Sequence, residues 1–236
     1  WTLSQQVYGN GDWWKYSYDD MDTMTGRYTN VTDTEGIGYE YVYDSQGQLV
    51  RVLEKTVTLA EGTVSGEGTL LRSENYVYDA QDRLVRVVVL DGSGNLLSDV
   101  SWTLDNDENV TSLTIRVDEN GSIQTESYTY TYNDDSQPTE VSYGNVTETT
   151  GYDGYGRITG RTVESGESTV LTTGYTYRTI GEEYTSTQVT GVTQTHGNTT
   201  ETRSYTYDGN GNILTVSDGT YTTSYSYDSL DQLVWE

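Results

Sequence analysis

Apolar and polar residues alternate with a period of two along much of this chain. The alternation is clearest where tyrosines occupy every second position, as at Tyr39, Tyr41 and Tyr43, or at Tyr205 and Tyr207. A period of two places such rings on one face of an extended strand. Thr and Ser fill many intervening positions and suit a solvated opposite face, because Thr is also a good strand former. No sustained apolar period of 3.6 residues occurs, so the pattern predicts an all-β protein.

A seven-residue motif follows this alternation five times, and we call it the turn motif. It consists of a tyrosine, an aspartate, a small turn, and an aliphatic residue six positions after the tyrosine. The copies run from Tyr43 to Leu49, Tyr78 to Leu84, Tyr152 to Ile158, Tyr207 to Ile213 and Tyr227 to Leu233. Degenerate copies begin at Tyr18, Leu104, Tyr132 and, with the poorest match, Tyr177. Repetition of one motif predicts a single array over residues 1–236, recognisable in 39–236 and more diverged in 1–38.

The turn motif has the chemistry of a tight turn. An aspartate at the first position of a type I turn accepts hydrogen bonds from backbone N–H groups further along, and Gly, Asp or Asn at the fourth position tolerates a positive φ. We therefore expect an antiparallel hairpin at each copy, with a glycine bulge where Gly is present. The residues expected to stabilise the array are Tyr43, Asp44, Gly47, Leu49, Tyr78, Asp79, Leu84, Tyr152, Asp153, Gly156, Ile158, Tyr207, Asp208, Gly211, Ile213, Tyr227, Asp228 and Leu233.

Beyond each turn the alternation continues with aliphatic residues, as at Leu49 and Leu53. This predicts one aromatic and aliphatic face that runs through every hairpin. The wider spacing of some copies predicts longer outer loops, such as residues 61–68. Because sheets twist, the accumulated twist is expected to curve the continuous hairpin array into a wall or partial shell.

Composition changes this picture in two ways. The 236 residues carry 12 Lys and Arg against 37 Asp and Glu, a formal net charge of −25, and so acidic a chain with few aliphatic residues would normally be disordered. The 23 tyrosines and 5 tryptophans favour a folded chain instead, since each buried aromatic side chain removes roughly 150–250 Å² from water.

The acidic surface disfavours nucleic acid and anionic membranes as partners. No apolar run approaches the roughly 18 residues that would insert into a membrane.

At the turn motifs the chain resembles the YD-repeat family, also called Rhs repeats. Residues 152–158 (YDGYGRI) and 205–213 (YTYDGNGNI) match the family pattern almost residue for residue, and the resemblance covers most of 39–236. It implies hairpins joined into one long antiparallel sheet that spirals into a hollow shell. In polymorphic toxins of the family such a shell encloses a cytotoxic segment, and in teneurins it serves adhesion.

The same resemblance guides the expected function. Toxin-type members follow the repeats with a core that contains Asp-Pro and cleaves itself, whereas the one proline here, Pro138, does not follow an aspartate. We therefore expect a non-enzymatic structural segment of a larger secreted or cell-surface bacterial protein. The chain begins at Trp1 without a visible signal peptide, which we interpret as an excised or processed segment. Its expected partners are the rest of that parent chain and a polysaccharide or cell-surface molecule.

A carbohydrate-binding module is the alternative function. Aromatic rings pack well against the CH groups of sugars, although the alternating tyrosines are expected to pack on one another across strands. Aromatic residues outside the repeat pattern are better candidates for glycan contact: Trp13, Trp14 and Tyr155.

Metal and catalytic sites are not expected. The acidic turns that begin at Asp105 and Asp208 have oxygen ligands at alternate positions, as calcium loops do, but neither has Gly at position six and Glu at position twelve as an EF-hand requires. We therefore expect no cofactor, with weak calcium binding as an alternative. The single histidine, His196, lies in a polar segment, and the chain has neither a cysteine nor a Gly-x-Ser-x-Gly elbow, so no catalytic residue is expected.

Overall fold

The computed structural model describes residues 3–9, 11–180 and 184–236. No helix occurs in these residues, and strands β1 to β20 follow one another along the chain. The predicted all-β class is therefore confirmed. In the described part of the chain, no helix has the length and apolarity needed to cross a membrane. The chain divides into two compact units, Trp1–Ser127 and Tyr128–Glu236, and the division falls within strand β10.

The first unit is a meander in which each strand pairs antiparallel with the next. Its strands are β1 (Gln5–Val7), β2 (Trp13–Tyr18), β3 (Met24–Asn30), β4 (Glu35–Tyr43), β5 (Leu49–Ala60), β6 (Thr63–Tyr78), β7 (Leu84–Asp91), β8 (Leu96–Leu104) and β9 (Val110–Glu119). Nearly all its inter-strand contacts join sequence neighbours, so the unit is a single-layered sheet.

The second unit repeats this arrangement. Its strands are β10 (Ser122–Tyr132), β11 (Pro138–Tyr143), β12 (Val146–Tyr152), β13 (Ile158–Ser165), β14 (Ser168–Ile180), β15 (Tyr184–His196), β16 (Thr199–Tyr207), β17 (Ile213–Ser217), β18 (Thr222–Ser224), β19 (Ser226–Tyr227) and β20 (Leu233–Trp235). Consecutive strands from β10 to β18 pair antiparallel, and β19 pairs with β20. The predicted antiparallel hairpin array is confirmed.

Two kinds of turn alternate along each unit. Except for the last copy, which joins β19 to β20, turn motifs join an even-numbered strand to the following odd-numbered strand, so within the meander of each unit they lie at the same end of the strands. Most opposite ends carry two-residue turns. Glu61 and Gly62 both have positive φ values, 51° and 69°, which fits a type I′ hairpin turn. The predicted outer loop over 61–68 is therefore wrong, because the chain reverses within two residues and the added length is absorbed as irregularities in the β5–β6 pairing.

Each turn motif ends in a bulge that shifts the alternation by one residue. In the β4–β5 hairpin, Tyr41 pairs with Val52 and Val42 pairs with Arg51, with a register shift next to the turn. Directly paired residues share a face of the sheet. Val52 therefore extends the tyrosine face, whereas Arg51 and Leu53 lie on the opposite face. The predicted continuation through alternate positions from residue 49 is wrong, because the bulge inserts one residue into the strand.

The two faces differ in chemistry, and neither is deeply buried. Among the described residues only two aliphatic side chains are buried, Leu59 at 3% and Val89 at 8% exposure, while the tyrosines of the turn motifs are half-buried. A single layer produces this pattern, since each face is covered mainly by its own neighbouring side chains. Half-burial of one tyrosine contributes roughly 2–3 kcal/mol as an upper estimate. The array is therefore stabilised by many moderate contacts.

The face opposite the tyrosines carries a buried carboxylate in the first unit. Asp99 on β8 is 4% exposed and accepts two hydrogen bonds of 2.8 Å from Arg86 on β7. Arg116 on β9 adds a contact of 3.2 Å from the other side. These arginines, chiefly through the hydrogen bonds from Arg86, lower the pKa of Asp99 against the opposing effect of burial. The three strands are thus tied together by one ion-pair row.

Candidate functional site

The aspartate of each turn motif holds its own turn together. In the first copy, Asp44 Oδ1 accepts the backbone N–H groups of Gln46 and Gln48, both at 2.9 Å. The backbone N–H of Asp44 donates to Gln48 O at 2.9 Å, and Gly47, at φ +85°, donates to Asp44 O at 3.2 Å. The same pair of carboxylate bonds, at 2.8–3.0 Å, recurs at Asp79, Asp153, Asp208 and Asp228. The carboxylate therefore serves as an internal acceptor.

These hydrogen bonds change the acidity of several turn aspartates. The pKa of Asp79 is lowered chiefly by the backbone N–H of Arg83. The pKa of Asp153 is lowered chiefly by the side chain of Arg157, and that of Asp208 by the side chain of Asn212. In each case the bonded form is the charged one, so the turn itself favours the ionised carboxylate.

One further turn of this type was not expected. Asp91, at the opposite end of the strands, accepts the N–H groups of Ser93 and Asn95, both at 2.8 Å. The following residue, Gly92, is closely approached: a Cβ there would lie 2.0 Å from the carbonyl oxygen of Leu70. The equivalent residue in another motif, Gly154, has no atom within 4 Å of such a Cβ.

The tyrosine of each motif links its hairpin to the preceding one. Its hydroxyl donates to the backbone carbonyl at or near the aliphatic position of the previous motif, as Tyr78 does to Leu49 O at 2.9 Å. The bonds are Tyr18 to Leu3 (3.0 Å), Tyr43 to Met24 (2.9 Å), Tyr78 to Leu49 (2.9 Å), Tyr152 to Pro138 (2.8 Å), Tyr177 to Ile158 (2.7 Å), Tyr207 to Val189 (2.6 Å) and Tyr227 to Ile213 (3.0 Å). We call this contact the tyrosine link.

The tyrosine link explains a feature of the composition. The chain has 23 tyrosines and no phenylalanine, although both rings suit a half-buried strand equally well. Burial of the ring alone would favour tyrosine and phenylalanine equally, whereas a recurring hydrogen bond from the hydroxyl requires tyrosine. The alternation of tyrosines predicts ring packing but not this hydrogen bond. The absence of phenylalanine was the sequence signal that could have indicated it. The poorest motif copy, at Tyr177, also makes the link.

A second contact between motifs comes from the residue four positions after the aspartate, or after Asn133 in the copy where asparagine takes its place. Gln137 Nε2 donates to Gly156 O of the next motif at 2.9 Å. In a similar way, Arg83 Nη1 donates to Asp105 O at 2.9 Å, and Asn212 Nδ2 donates to Asp231 Oδ1 at 2.9 Å. No sequence pattern indicates this role, because Gln, Arg and Asn share only the ability to donate a hydrogen bond from a polar side chain.

The three candidate glycan contacts have different surroundings. Trp13 and Trp14 are consecutive in β2 and therefore face opposite sides of the sheet. Trp13 packs edge-on against Tyr28, with ring centres 5.6 Å apart, and Trp14 lies 6.1 Å from the ring of Tyr39. Both tryptophans are half-buried. Because Trp13 and Trp14 face opposite sides of one strand, they do not form one platform, and Tyr155, in the second unit, is 73% exposed.

The turns considered for calcium have their carboxylates engaged. In the turn at Asp105, Oδ1 accepts two backbone N–H groups and Oδ2 accepts Asn109 Nδ2 at 3.1 Å. Asp208 Oδ2 accepts Asn212 Nδ2 at 2.9 Å in the same manner. Over residues 3–9, 11–180 and 184–236 no group of three or more acidic, His or Cys side chains is arranged to hold a metal ion. His196 ends β15 and is exposed beside a two-residue turn.

Comparison with known proteins places this chain in no family. No protein-family model matches the sequence, and no curated protein matches it. The crystal structure of TcdB2-TccC3-Cdc42 is similar over 95% of this chain, with a TM-score of 0.34 and 11% identity, and this chain spans 19% of that one. A porin-like protein from Bacteroides uniformis is similar over 85% of this chain and 91% of its own, with a TM-score of 0.32 and 14% identity. At these scores the likeness extends no further than an all-β fold.

Proposed function

We propose that this chain is a non-enzymatic structural segment of YD-repeat type in a larger secreted or cell-surface bacterial protein. In this role its hairpins form part of a β-sheet wall, and the parent chain is its main partner. The observation that carries the proposal is the tyrosine link, which joins one hairpin to the preceding one six times among the described residues. Because the recurring groups of the motif form hydrogen bonds to other parts of the array, we infer that the motif stabilises the array.

The remaining polar groups of the motif support the same role. The aspartate oxygens accept hydrogen bonds within their own turns, and the residue four positions later donates to the next turn, as Arg83 does to Asp105. Because these groups are satisfied internally, they reinforce the repeat without requiring a ligand. The net charge of −25 supports the role as well, since like charge opposes association between exposed single-layered sheets.

Hydrogen exchange tests whether the tyrosine link joins neighbouring repeats. Replacing Tyr78 by Phe removes the donor to Leu49 O and leaves the ring in place. We expect faster exchange of backbone amides in residues 44–53, which belong to the preceding hairpin, with little change in β13. As a matched control, Tyr155→Phe removes the hydroxyl of a tyrosine that is 73% exposed. Identical exchange in Tyr78→Phe and wild type would refute the proposed linking role.

The proposed secreted or cell-surface location of the protein is tested by a separate experiment. An antibody raised against this chain should label intact cells of the producing bacterium, or detect the chain in the culture supernatant. Detection only after cell lysis would refute the secreted or cell-surface part of the proposal and leave the structural part standing.

A further inference from the structure

A groove in the first unit lies where β2 and β3 meet the turn that precedes β2. It has a volume of about 630 Å³ and is lined by Tyr8, Gly9, Asp12, Trp14, Thr29 and Asn30. Small-molecule sites in proteins typically occupy some 300–1,000 Å³ and combine aromatic walls with a few polar groups. Two aromatic residues, one carboxylate, one amide and one hydroxyl meet that description. The structural role of the turn motifs uses none of these residues.

The aromatic wall formed by Trp14 also contacts Arg27. The guanidinium carbon of Arg27 lies 4.8 Å from the Trp14 ring centre and 5.0 Å from that of Tyr39. Arg27 Nε is buried and has no hydrogen-bond partner, and the guanidinium makes cation–π contacts with both rings. Tyr39 is oriented in turn by its hydroxyl contact with Glu54 Oε1 at 3.4 Å. A ring held in this way loses little conformational entropy when a ligand packs against it.

The second aromatic wall is more exposed. Tyr8 is 44% exposed, although its backbone is ordered by two bonds. Its N–H donates to Asp12 O at 2.8 Å, and its carbonyl accepts from Gly11 N–H at 3.1 Å. A tyrosine exposed on a fixed backbone presents apolar ring area to the groove at low entropic cost.

The polar lining offers both acceptors and donors. Asn30 Oδ1 accepts the backbone N–H of Trp13 at 3.1 Å, which leaves the Asn30 amide nitrogen as the donor of that side chain. Thr29 Oγ1 donates to Trp13 O at 2.6 Å and keeps its acceptor lone pairs. Asp12 also lines the groove, and a carboxylate can accept several hydrogen bonds at once. This combination of hydrogen-bond donors and acceptors suits a ligand with adjacent hydroxyl groups, because each hydroxyl group both donates and accepts a hydrogen bond.

We propose that this groove binds a neutral saccharide. The CH faces of the sugar rings pack on Tyr8 and Trp14, and the hydroxyl groups bond to Asp12, Thr29 and Asn30. The occupant is neutral because Asp12 lies in the lining and the whole chain carries a net charge of −25, both of which repel an anionic glycan. The site is independent of the structural function proposed above, so either proposal can fail alone.

Titration of the full chain with defined oligosaccharides tests the proposal. The probes are chitohexaose, cellohexaose, maltohexaose and xylohexaose, with polygalacturonate as the anionic comparison, followed by calorimetry and tryptophan fluorescence. We expect at least one neutral probe to bind saturably and polygalacturonate not to bind. No heat and no fluorescence change with all four neutral probes at up to about 5 mM, a range that detects very weak affinity, would overturn the proposal.

Three variants test whether the saccharide binds in this groove or at an exposed aromatic residue elsewhere. Trp14→Ala and Asp12→Ala should each weaken binding by about tenfold or more, which corresponds to about 1.4 kcal/mol. Asp12 is exposed, so its variant tests the groove even if Trp14→Ala lowers the fold's stability. Tyr155→Ala removes an exposed tyrosine of the second unit and should bind as wild type. Equal affinity of Asp12→Ala and wild type, or a loss in Tyr155→Ala, would overturn the assignment.

Discussion

Removal of one tyrosine hydroxyl measures how much the tyrosine link contributes to stability. Tyr207 donates to Val189 O at 2.6 Å, and its ring is half-buried on the aromatic face. Burial, with the nearby Tyr205, raises the pKa of Tyr207 against a smaller lowering by Arg178. The hydroxyl is therefore protonated and able to donate at neutral pH. Tyr207→Phe keeps the ring and deletes only this donor.

The expected loss follows from the hydrogen-bond energetics. A typical bond contributes a net ~0.5–1.5 kcal/mol, and an acceptor left unsatisfied in a part-buried position adds to the cost, so we expect a loss of about 1–2 kcal/mol. If the chain unfolds as one cooperative unit of its length, each kcal/mol lowers Tm by about 2–4 °C. Tyr207→Phe should therefore melt about 2–8 °C below wild type.

The assay is thermal and urea unfolding at pH 7, followed by circular dichroism. Tyr221→Phe is the matched control, because it makes the same chemical change at a tyrosine that is 77% exposed. The control should melt with the wild type. If both variants show the same Tm, the hydroxyl of Tyr207 contributes no stability, and the tyrosine link cannot be what joins the hairpins.

Three further predictions concern the turns and the aromatic face. Asp208→Ala should lower Tm by removing the acceptor for two turn amides, whereas Asp208→Asn keeps an oxygen and should lose less; equal losses in thermal melts would contradict the turn mechanism. Gly92→Ala should destabilise the chain strongly, since its methyl group would lie 2.0 Å from a backbone carbonyl, while Gly154→Ala should unfold at nearly the wild-type urea concentration. Burial, together with a hydrogen bond to Glu74 and its charge, raises the pKa of Tyr76 to about 12, whereas an unfolded tyrosine ionises near pH 10. Its contribution to stability is therefore complete below about pH 10 and lost as the pH rises to about 12, so Tyr76→Phe should show a flatter decline of the urea midpoint across that range than wild type does.

Much of the fold depends on contacts between residues that are close along the chain, and such contacts can be predicted from the sequence. The alternation at Tyr39, Tyr41 and Tyr43 predicts strands, and the aspartate and glycine of each motif predict the turns that join them. These features need only residues a few positions apart, because a turn is closed by its own side chain, as Asp44 does with Gln46 and Gln48. The antiparallel hairpin array could be predicted for this reason.

The candidate groove was predicted only in part. Trp14 was named as a candidate glycan contact from its position outside the repeat pattern, but Tyr8, Asp12 and Asn30 were not. Those residues come together because β2 and β3 pair and the preceding turn folds beside them. No spacing in the sequence indicates that juxtaposition, since it depends on the register of two strands.

The amino-acid pattern is enough to predict that the chain forms hairpins, where the turns lie, and that aromatic rings share a face. What those rings and turns contact in the next repeat becomes visible only in the folded protein. The bulge beside each turn moves Val52 to the tyrosine face and Arg51 to the opposite face, and one inserted residue reverses every later position. The link from Tyr78 to Leu49 spans 29 residues, and that distance is bridged only when intervening strands pair in one register. Alternation is a property of neighbouring residues, whereas the contacts between repeats depend on how whole strands align.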